Sequence, residues 1–293
     1  MTKLIYSISI PSNSSFADKN SIVKVANDSN LGIFVSDLPQ NHDLFQLLAL
    51  WKEKFHNIPI MGTAIISPLI YDLEFMKKQI KTLFEVFDNG IELGFGLGDK
   101  KLLNKDIPNR LTTFQNSITF LIQDETINKS NNSISIAGSG KKLINFASEQ
   151  NLGLIYNGII NSGIISGIKS ENTRNNISSY IMIDVNDYKS LTPGFISIVS
   201  RIVTGLSTKE LNRLKIETNQ ISLIQEGLLK KNIAGYKTWL PEEVIRKVAI
   251  FGEKETIFER LVKFEEIHIK QLILSIIGSK QKEELIKYLQ KQL

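Results

Sequence analysis

The sequence predicts an α/β fold, a closed (β/α)8 barrel of the TIM type. Short apolar segments alternate with helical patterns along nearly the whole chain of 293 residues. These segments are predominantly apolar, which is typical of strands that are buried on both faces of a parallel sheet. Eight such segments in a chain of this length favour closure into a barrel over an open doubly wound sheet.

The predicted strands are rich in β-branched residues and are followed by turn-forming residues. They span residues 4–10, 31–36, 58–66, 91–95, 133–137, 153–156, 178–185 and 271–276. The segments between them place apolar residues at helical spacing, as Met76 and Ile80 do, and Asp72 is a suitable N-cap for that helix. The predicted helices lie near residues 21–27, 43–55, 72–88, 109–123, 141–149 and 281–293.

The stretch between the seventh and eighth predicted strands is much longer than one crossover helix needs. Its helical patterns predict a helical insertion over about residues 187–245, before the last strand. No low-complexity linker divides the chain, so residues 1–293 are expected to form a single domain.

Composition and charge exclude several classes of protein. The chain has no cysteine, which rules out disulfides, thiolate metal sites and a cysteine nucleophile. The net charge is +5, but basic residues are mixed with acidic ones, so we expect no nucleic-acid partner. No segment reaches the roughly 18 apolar residues of a membrane span. Because the first segment is typical of a strand and not of a signal peptide, we expect a cytoplasmic protein without a membrane partner.

Motifs for metal binding and hydrolysis are missing from the sequence. The histidines His42, His56 and His268 do not have the spacing of metal ligands, so no metal is expected. His42 lies in a strand-to-helix loop, where it either faces the barrel mouth or is structural. No G-x-S-x-G motif supports a hydrolase triad.

Three segments carry glycines late in a strand or directly after one. In the segment 94–100, Gly96 and Gly98 precede Asp99, where a Rossmann fingerprint would need a third glycine. These glycines therefore allow the backbone to approach a ligand or simply form a tight turn. In the third predicted strand, Gly62, Thr63 and Ala64 indicate a bulge or a close approach to a ligand.

The segment Gly138, Ser139, Gly140 and Lys141 lies between the fifth strand and the next helix. It lacks the first glycine and the final hydroxyl residue of a Walker loop. Small residues before a helix nevertheless leave backbone N–H groups free, and the helix dipole favours an anion there. The segment therefore predicts a phosphate site, with an ordinary helix start as the alternative.

Taken together, these segments resemble the luciferase-like superfamily. They are most similar to its branch of enzymes dependent on the deazaflavin F420, which includes methylenetetrahydromethanopterin reductase. The resemblance spans about residues 33–277 and preserves the order of its pieces. These pieces are the end of the second strand at residues 35–43, the glycine segment 88–100, the stretch 134–143 with 153–158, and the helix pair 239–261.

The resemblance implies a hydride-transferring oxidoreductase that uses F420, or alternatively FMN, with an unidentified organic substrate. It implies catalytic roles for Asp37 and Asp99. A non-prolyl cis peptide maps onto the bond between Thr63 and Ala64 or onto its neighbour. The implied cofactor-binding residues are Asp37, Gly62, Thr63, Ala64, Gly96, Gly98, Asp99, Gly138, Ser139, Gly140, Lys141 and Asn157.

The chain departs from this branch at several positions. No acid stands at the end of the first strand, residues 7–11, where the branch has a glutamate, and Leu38 and Ile91 replace a histidine and an arginine. The segment 100–132 is too short for the hairpin of the branch. The alternatives are therefore an FMN-dependent luciferase-like monooxygenase and a catalytically silent paralogue that binds a flavin or a partner.

The resemblance also implies a homodimer that pairs through helices of the second and third units. The apolar residues Phe45, Leu48 and Trp51 lie on the second of the predicted helices. They either supply this dimer face or pack into the core.

Overall fold

A computed structural model describes most of the chain. The described residues are 4–10, 14–37, 42–88, 90–98, 107–129, 133–157, 167–206, 208–230, 233–267, 269–277 and 279–292.

The strands form one parallel sheet that closes on itself. Each strand from the first to the seventh pairs with the next, and the last strand pairs with both the seventh and the first. The predicted (β/α)8 barrel is therefore confirmed. The strands are β1 (Ile5–Ile10), β2 (Gly32–Val35), β3 (Met61–Ile66), β4 (Glu92–Phe95), β5 (Ser133–Ala137), β6 (Gly153–Asn157), β7 (Ile177–Asp184), β8 (Ile250–Phe251) and β9 (Gln271–Ile277).

Strand β8 is an addition that the sequence did not predict. Its two residues pair with Ile183 and Asp184 at the end of β7, outside the ring of eight. A pair of residues is too short to show a periodic pattern, because alternation needs at least four.

Helices connect the strands on the outside of the barrel. They are α1 (Phe16–Asp28), α2 (Leu44–Lys54), α3 (Leu73–Val86), α4 (Arg110–Ile122), α5 (Glu125–Lys129), α6 (Lys141–Glu149), α7 (Glu171–Asn175), α8 (Pro193–Thr204), α9 (Thr208–Arg213), α10 (Thr218–Leu229), α11 (Glu242–Val248), α12 (Lys254–Val262) and α13 (Ser279–Gln292). Short polar side chains begin several of them: Asp72 accepts a hydrogen bond from the Phe75 amide, as its N-cap role predicts.

Helices α8 to α11 lie between β7 and β8 and form a second hydrophobic cluster. This cluster includes Met182 of β7 and Phe251 of β8, so it is continuous with the barrel wall. Gly227 lets the ring of Trp239 approach, because a Cβ atom at this position would lie 2.5 Å from the ring. We propose on this basis that the chain is one domain with a helical insertion over about residues 187–245.

The amino-terminal end of the barrel interior is filled by polar side chains. Glu92 is 1% exposed and accepts a hydrogen bond from Lys270 at 3.0 Å. Its other carboxylate oxygen accepts from the hydroxyls of Ser135 and Ser178 at 3.2 and 3.3 Å. Gln271 links Ser178 to the first strand. These residues close the floor of the barrel, so a ligand has to enter from the opposite end.

We predict that removing Lys270 from its ion pair with Glu92 lowers the unfolding free energy more than removing Glu92 does. Lys270→Met leaves a buried carboxylate without its cation and should cost about 2–4 kcal/mol of unfolding free energy. Glu92→Gln leaves a lysine whose side chain is 21% exposed and keeps access to water, so it should cost less. Urea denaturation measures both. Lys230→Met removes an exposed ion pair with Glu226 and should change stability by at most about 1 kcal/mol. Equal costs for the two floor variants would contradict this interpretation.

Candidate functional site

The predicted site residues belong to consecutive strands of the closed ring. Because all strands are parallel, their carboxyl ends meet at one rim of the barrel. Asp37 follows β2, Gly96 and Gly98 follow β4, residues 138–141 follow β5, and Asn157 ends β6. The structure thus brings these residues to the same end of the molecule. Asp99 lies outside the described residues.

Strand β3 forms one wall of this rim and contains a non-prolyl cis peptide between Ala64 and Ile65. The resemblance mapped a cis peptide onto the bond between Thr63 and Ala64 or onto its neighbour, and the cis bond is this neighbour. The Ser36 hydroxyl donates a hydrogen bond to the Ala64 carbonyl at 2.8 Å, and the Asp37 amide donates to the Ile65 carbonyl at 3.0 Å. The end of β2 therefore fixes the backbone on both sides of Ile65.

Gly62 and Thr63, which were predicted to bind the cofactor, lie below the rim of the barrel. A Cβ atom on Gly62 would meet the ring of Phe34 at 2.6 Å, so that ring covers this glycine. Thr63 is fully buried, and its hydroxyl bonds to the amide and carbonyl of Gly94. Both residues support the wall from below, and the rim itself is formed by Ala64 and Ile65.

The loop after β4 is held from two sides. Gly98 has a φ of 69°, in the left-handed region that glycine adopts without strain. The Arg110 guanidinium donates to the carbonyls of Leu97 and Gly98 at 2.5 and 2.6 Å, and the Ser67 hydroxyl donates to Leu97 at 3.2 Å. These contacts orient the glycine segment. Sequence patterns do not reveal them, because Arg110 resembles any basic residue at a helix start.

The segment after β5 has the structure expected of an anion site. Gly140 is the N-cap of α6, in extended conformation, and no side chain caps the helix there. A Cβ atom on Gly140 would meet no atom within 4 Å, so the space beside it is open. Within the described part of the chain, the amides of residues 139–142 donate no hydrogen bond, and Lys141 is exposed. The segment therefore offers free N–H groups and positive charge at one point of the rim.

Asp37 is a half-buried carboxylate at the rim. It accepts a hydrogen bond of 2.5 Å from the hydroxyl of Tyr71. Burial raises the pKa of Asp37, the hydrogen bond from Tyr71 lowers it, and the negative charge of Asp43 raises it further, with a net rise. Burial and the contact with Asp37 also raise the pKa of Tyr71. Tyr71 is a site residue that the sequence did not reveal.

Two other predictions concern residues near the second unit. His42 lies 3.1 Å from the buried ammonium of Lys19 and contacts the ring of Phe16, which supports its structural reading. Of the two uses expected for the apolar residues of α2, packing into the core is confirmed, so these side chains do not supply a dimer face. They are Phe45, Leu48 and Trp51, with exposures of 4%, 0% and 0%.

The described residues also bear on metal ions and membranes. Among them, no group of three or more histidine, aspartate or glutamate side chains is placed to hold a metal ion. Within the same ranges, none of the helices has the length and apolar character needed to cross a membrane.

The closed barrel has the fold of several solved oxidoreductases, among them F420-dependent enzymes and a monooxygenase in complex with FMN. Neither a protein-family model nor a curated protein sequence matches the chain. Solved structures do match over its whole length. The coenzyme F420-dependent tetrahydromethanopterin reductase of Methanopyrus kandleri has a TM-score of 0.80 at 17% identity, with 100% of this chain and 99% of that chain covered.

Other solved structures are similar at lower scores. An F420-dependent secondary alcohol dehydrogenase has a TM-score of 0.62 at 11% identity, covering 98% of each chain. A type II Baeyer–Villiger monooxygenase of Pseudomonas putida, in complex with FMN, has a TM-score of 0.61 at 13% identity, covering 99% of this chain and 96% of that one. These likenesses confirm, for the fold, the resemblance that the sequence motifs indicated.

We predict that Tyr71→Phe destabilises the protein in a pH-dependent way. Loss of a hydrogen bond to a charged group should cost about 1.5–3 kcal/mol at pH 7. Without this bond the pKa of Asp37 rises further, since burial and Asp43 still act on it. A carboxyl group whose pKa is raised by folding contributes stability in acid that is lost as the pH rises through that pKa. The deficit should therefore be larger at pH 7 than at pH 4.

Thermal or urea denaturation across this pH range measures the effect. Tyr188→Phe is the matched control, because its hydroxyl donates to a main-chain carbonyl, that of Leu240. Its deficit should not follow the titration of a carboxylate. A Tyr71→Phe deficit that is the same at both pH values would show that the hydroxyl does not control the charge of Asp37.

Proposed function

We propose that this protein is an oxidoreductase that binds F420 at the carboxyl rim of its barrel and transfers a hydride between F420 and an organic substrate. The observation that carries the proposal is the set of free amides at residues 139–142, on the same rim as the wall formed by Ala64 and Ile65. The first fits an anionic tail, and the second would support the planar ring of the cofactor.

The described residues fit a phosphate-bearing cofactor. Its phosphate would bind the amides at the start of α6, where the helix dipole and Lys141 favour negative charge. Asn157, which is exposed at the end of the adjacent strand β6, would offer its amide group to the same part of the cofactor. The space beside Gly140 would otherwise be filled by a Cβ atom. We infer that this glycine keeps the phosphate position open.

A bound deazaflavin supplies the hydride-transfer chemistry, and the chain orients it and excludes water. Ser36 and Asp37 fix the backbone that would support the ring. Asp37 and Asp99 remain the candidate catalytic residues. Asp37 is suited to proton transfer at its carboxylate oxygens. Burial raises its pKa, which is the direction that favours a carboxyl group as a general acid or base.

The structural neighbours favour F420 over FMN. The reductase named as F420-dependent has the higher TM-score, 0.80, and the FMN complex has 0.61. An FMN-dependent monooxygenase is the second candidate function, because FMN also ends in a phosphate that the amides of residues 139–142 would bind.

We also infer a homodimer formed through the outer faces of α2 and α3. Leu50 on α2 and Phe75 on α3 are 47% and 52% exposed, and the two helices pack side by side. Large apolar side chains on neighbouring helices are typical of a protein interface. Light scattering of the purified protein should give twice the mass of the chain, and Phe75→Glu should reduce it to one chain.

Two substitutions of Lys141 test whether the amides at the start of α6 bind the cofactor. Gly140 has φ −77° and ψ 141°, which is compatible with a following proline, and Lys141 is the first residue of α6, where proline is tolerated. Lys141→Pro therefore removes one free N–H group and the side-chain charge without breaking the helix. Lys141→Ala removes only the charge. A hydrogen bond to a charged group contributes about 1.5–3 kcal/mol, so the proline variant should bind F420 roughly 10- to 100-fold more weakly than the alanine variant.

Titration of each protein with F420 and, separately, with FMN measures this through quenching of cofactor fluorescence. Melting temperatures close to that of the parent protein would verify that the variants fold. Tight binding of FMN alone would favour the monooxygenase. Binding of neither cofactor, or equal affinities of the two Lys141 variants, would contradict the proposed site; binding of neither would leave the silent paralogue as the better interpretation.

A further inference from the structure

Two hydroxyl groups meet inside the barrel, from strands that are not neighbours. Ser9 lies on β1 and Tyr180 on β7, and β9 separates these strands in the sheet. Their side-chain oxygens are 2.9 Å apart, which is a hydrogen bond in which either one is the donor. Ser9 is 2% exposed, so this contact is largely shielded from water.

Tyr180 is partly exposed although it lies in the middle of a strand. Its neighbours Ser179 and Ile181 are both 0% exposed. Ser178, two residues earlier on the same face of β7, contacts Glu92 and Gln271 in the polar floor, so Tyr180 faces the barrel interior above that floor. Since the floor closes the amino-terminal end, the exposed part of Tyr180 is open toward the carboxyl rim.

The hydroxyl pair adjoins the proposed cofactor site. Tyr180 packs against the interior cluster that contains Ala64, the residue whose carbonyl belongs to the cis peptide. Tyr180 is also the register partner of Asn157 at the end of β6. The rest of this cluster is apolar and consists of Phe34, Ile155 and Ile273, with Ile60, Ile65 and Ala137 packed against it.

A buried lysine holds the first strand in place at this point. Lys282 is 4% exposed, and its ammonium donates a hydrogen bond of 3.1 Å to the main-chain carbonyl of Ser9. Burial lowers the pKa of Lys282 to about 8. The lysine fixes the backbone of Ser9 and thereby the position of its hydroxyl.

We propose that the Ser9–Tyr180 hydroxyl pair binds the oxygen of a neutral substrate, a carbonyl compound or an alcohol. This inference rests on the proposed function and names the substrate class for the same site. When one hydroxyl donates to the other, one O–H group is left to donate to a substrate. Ser275, two residues after Ile273 on the interior face of β9, adds a second neutral hydroxyl beside the pair. Neutral donors among apolar side chains suit a carbonyl oxygen, whereas a carboxylate would lose its hydration without charged donors.

Acetone and acetate test this inference, because they are nearly equal in size and differ in charge. The 13C resonance of [2-13C]acetone moves downfield when its carbonyl accepts a hydrogen bond, and [1-13C]acetate is followed in the same way. We expect a saturable downfield shift for acetone with the F420-loaded protein and none for acetate. Tyr180→Phe should abolish the acetone shift, and Ser9→Ala should weaken acetone binding about three- to tenfold.

Tyr156→Phe is the matched control. Tyr156 lies on the outward face of β6 and bonds to Glu210, so its loss should change stability and leave the acetone shift unchanged. If the pair is only structural, Tyr180→Phe will behave like this control, and the inference is overturned. A shift with acetate in place of acetone also overturns it, since the site would then select anions.

The same samples separate this inference from the proposed function. The measurement is repeated without cofactor, and cofactor binding is followed by fluorescence. An acetone shift that depends on Tyr180 in a protein that binds neither F420 nor FMN would support the hydroxyl pair and refute the cofactor proposal. Cofactor binding without any acetone shift would refute the hydroxyl pair alone.

Discussion

The pairing of β9 with both β1 and β7 determines the geometry of the whole barrel. It closes a parallel sheet into a ring, and a parallel ring has two different ends. One end collects the starts of all strands, and the other collects the segments that follow them. Residues as distant in sequence as Ser9 and Tyr180 come into hydrogen-bond contact only because of this closure.

The two ends of the barrel differ in whether their polar groups have partners within the protein. At the floor, Glu92 is shielded from water. Lys270 balances its charge, and two serine hydroxyls donate hydrogen bonds to it. At the rim, amides at the start of α6 lack partners among the described residues, and Asp37 is held half-buried. Free helix-start amides and a carboxyl group with a raised pKa are features that a bound anion or a proton-transfer reaction uses. This difference favours the rim as the functional end.

The sequence was sufficient to predict the eight ring strands and most helices between them, but not β8 and only part of the site. The eight ring strands and the free helix start at Gly140 follow from local patterns: apolar runs, strand ends and glycines. Tyr71, Arg110 and the Ser9–Tyr180 pair could not be predicted, because their contacts join separate units and depend on the register of the closed ring. For the same reason the covering of Gly62 by a ring from β2 became clear only in three dimensions. Core packing of the apolar side chains of α2 was one of the two uses that the sequence indicated, and the structure decided between them.

The central claim is that one anionic, planar cofactor occupies the rim, with its phosphate at the start of α6 and its ring against β3. A crystal structure of the protein with F420 bound tests this most directly. We expect phosphate oxygens within hydrogen-bond distance of the amides of residues 139–142 and the deazaflavin ring packed on the backbone at Ala64 and Ile65. A cofactor bound at another face, or a phosphate that contacts none of these amides, would contradict it.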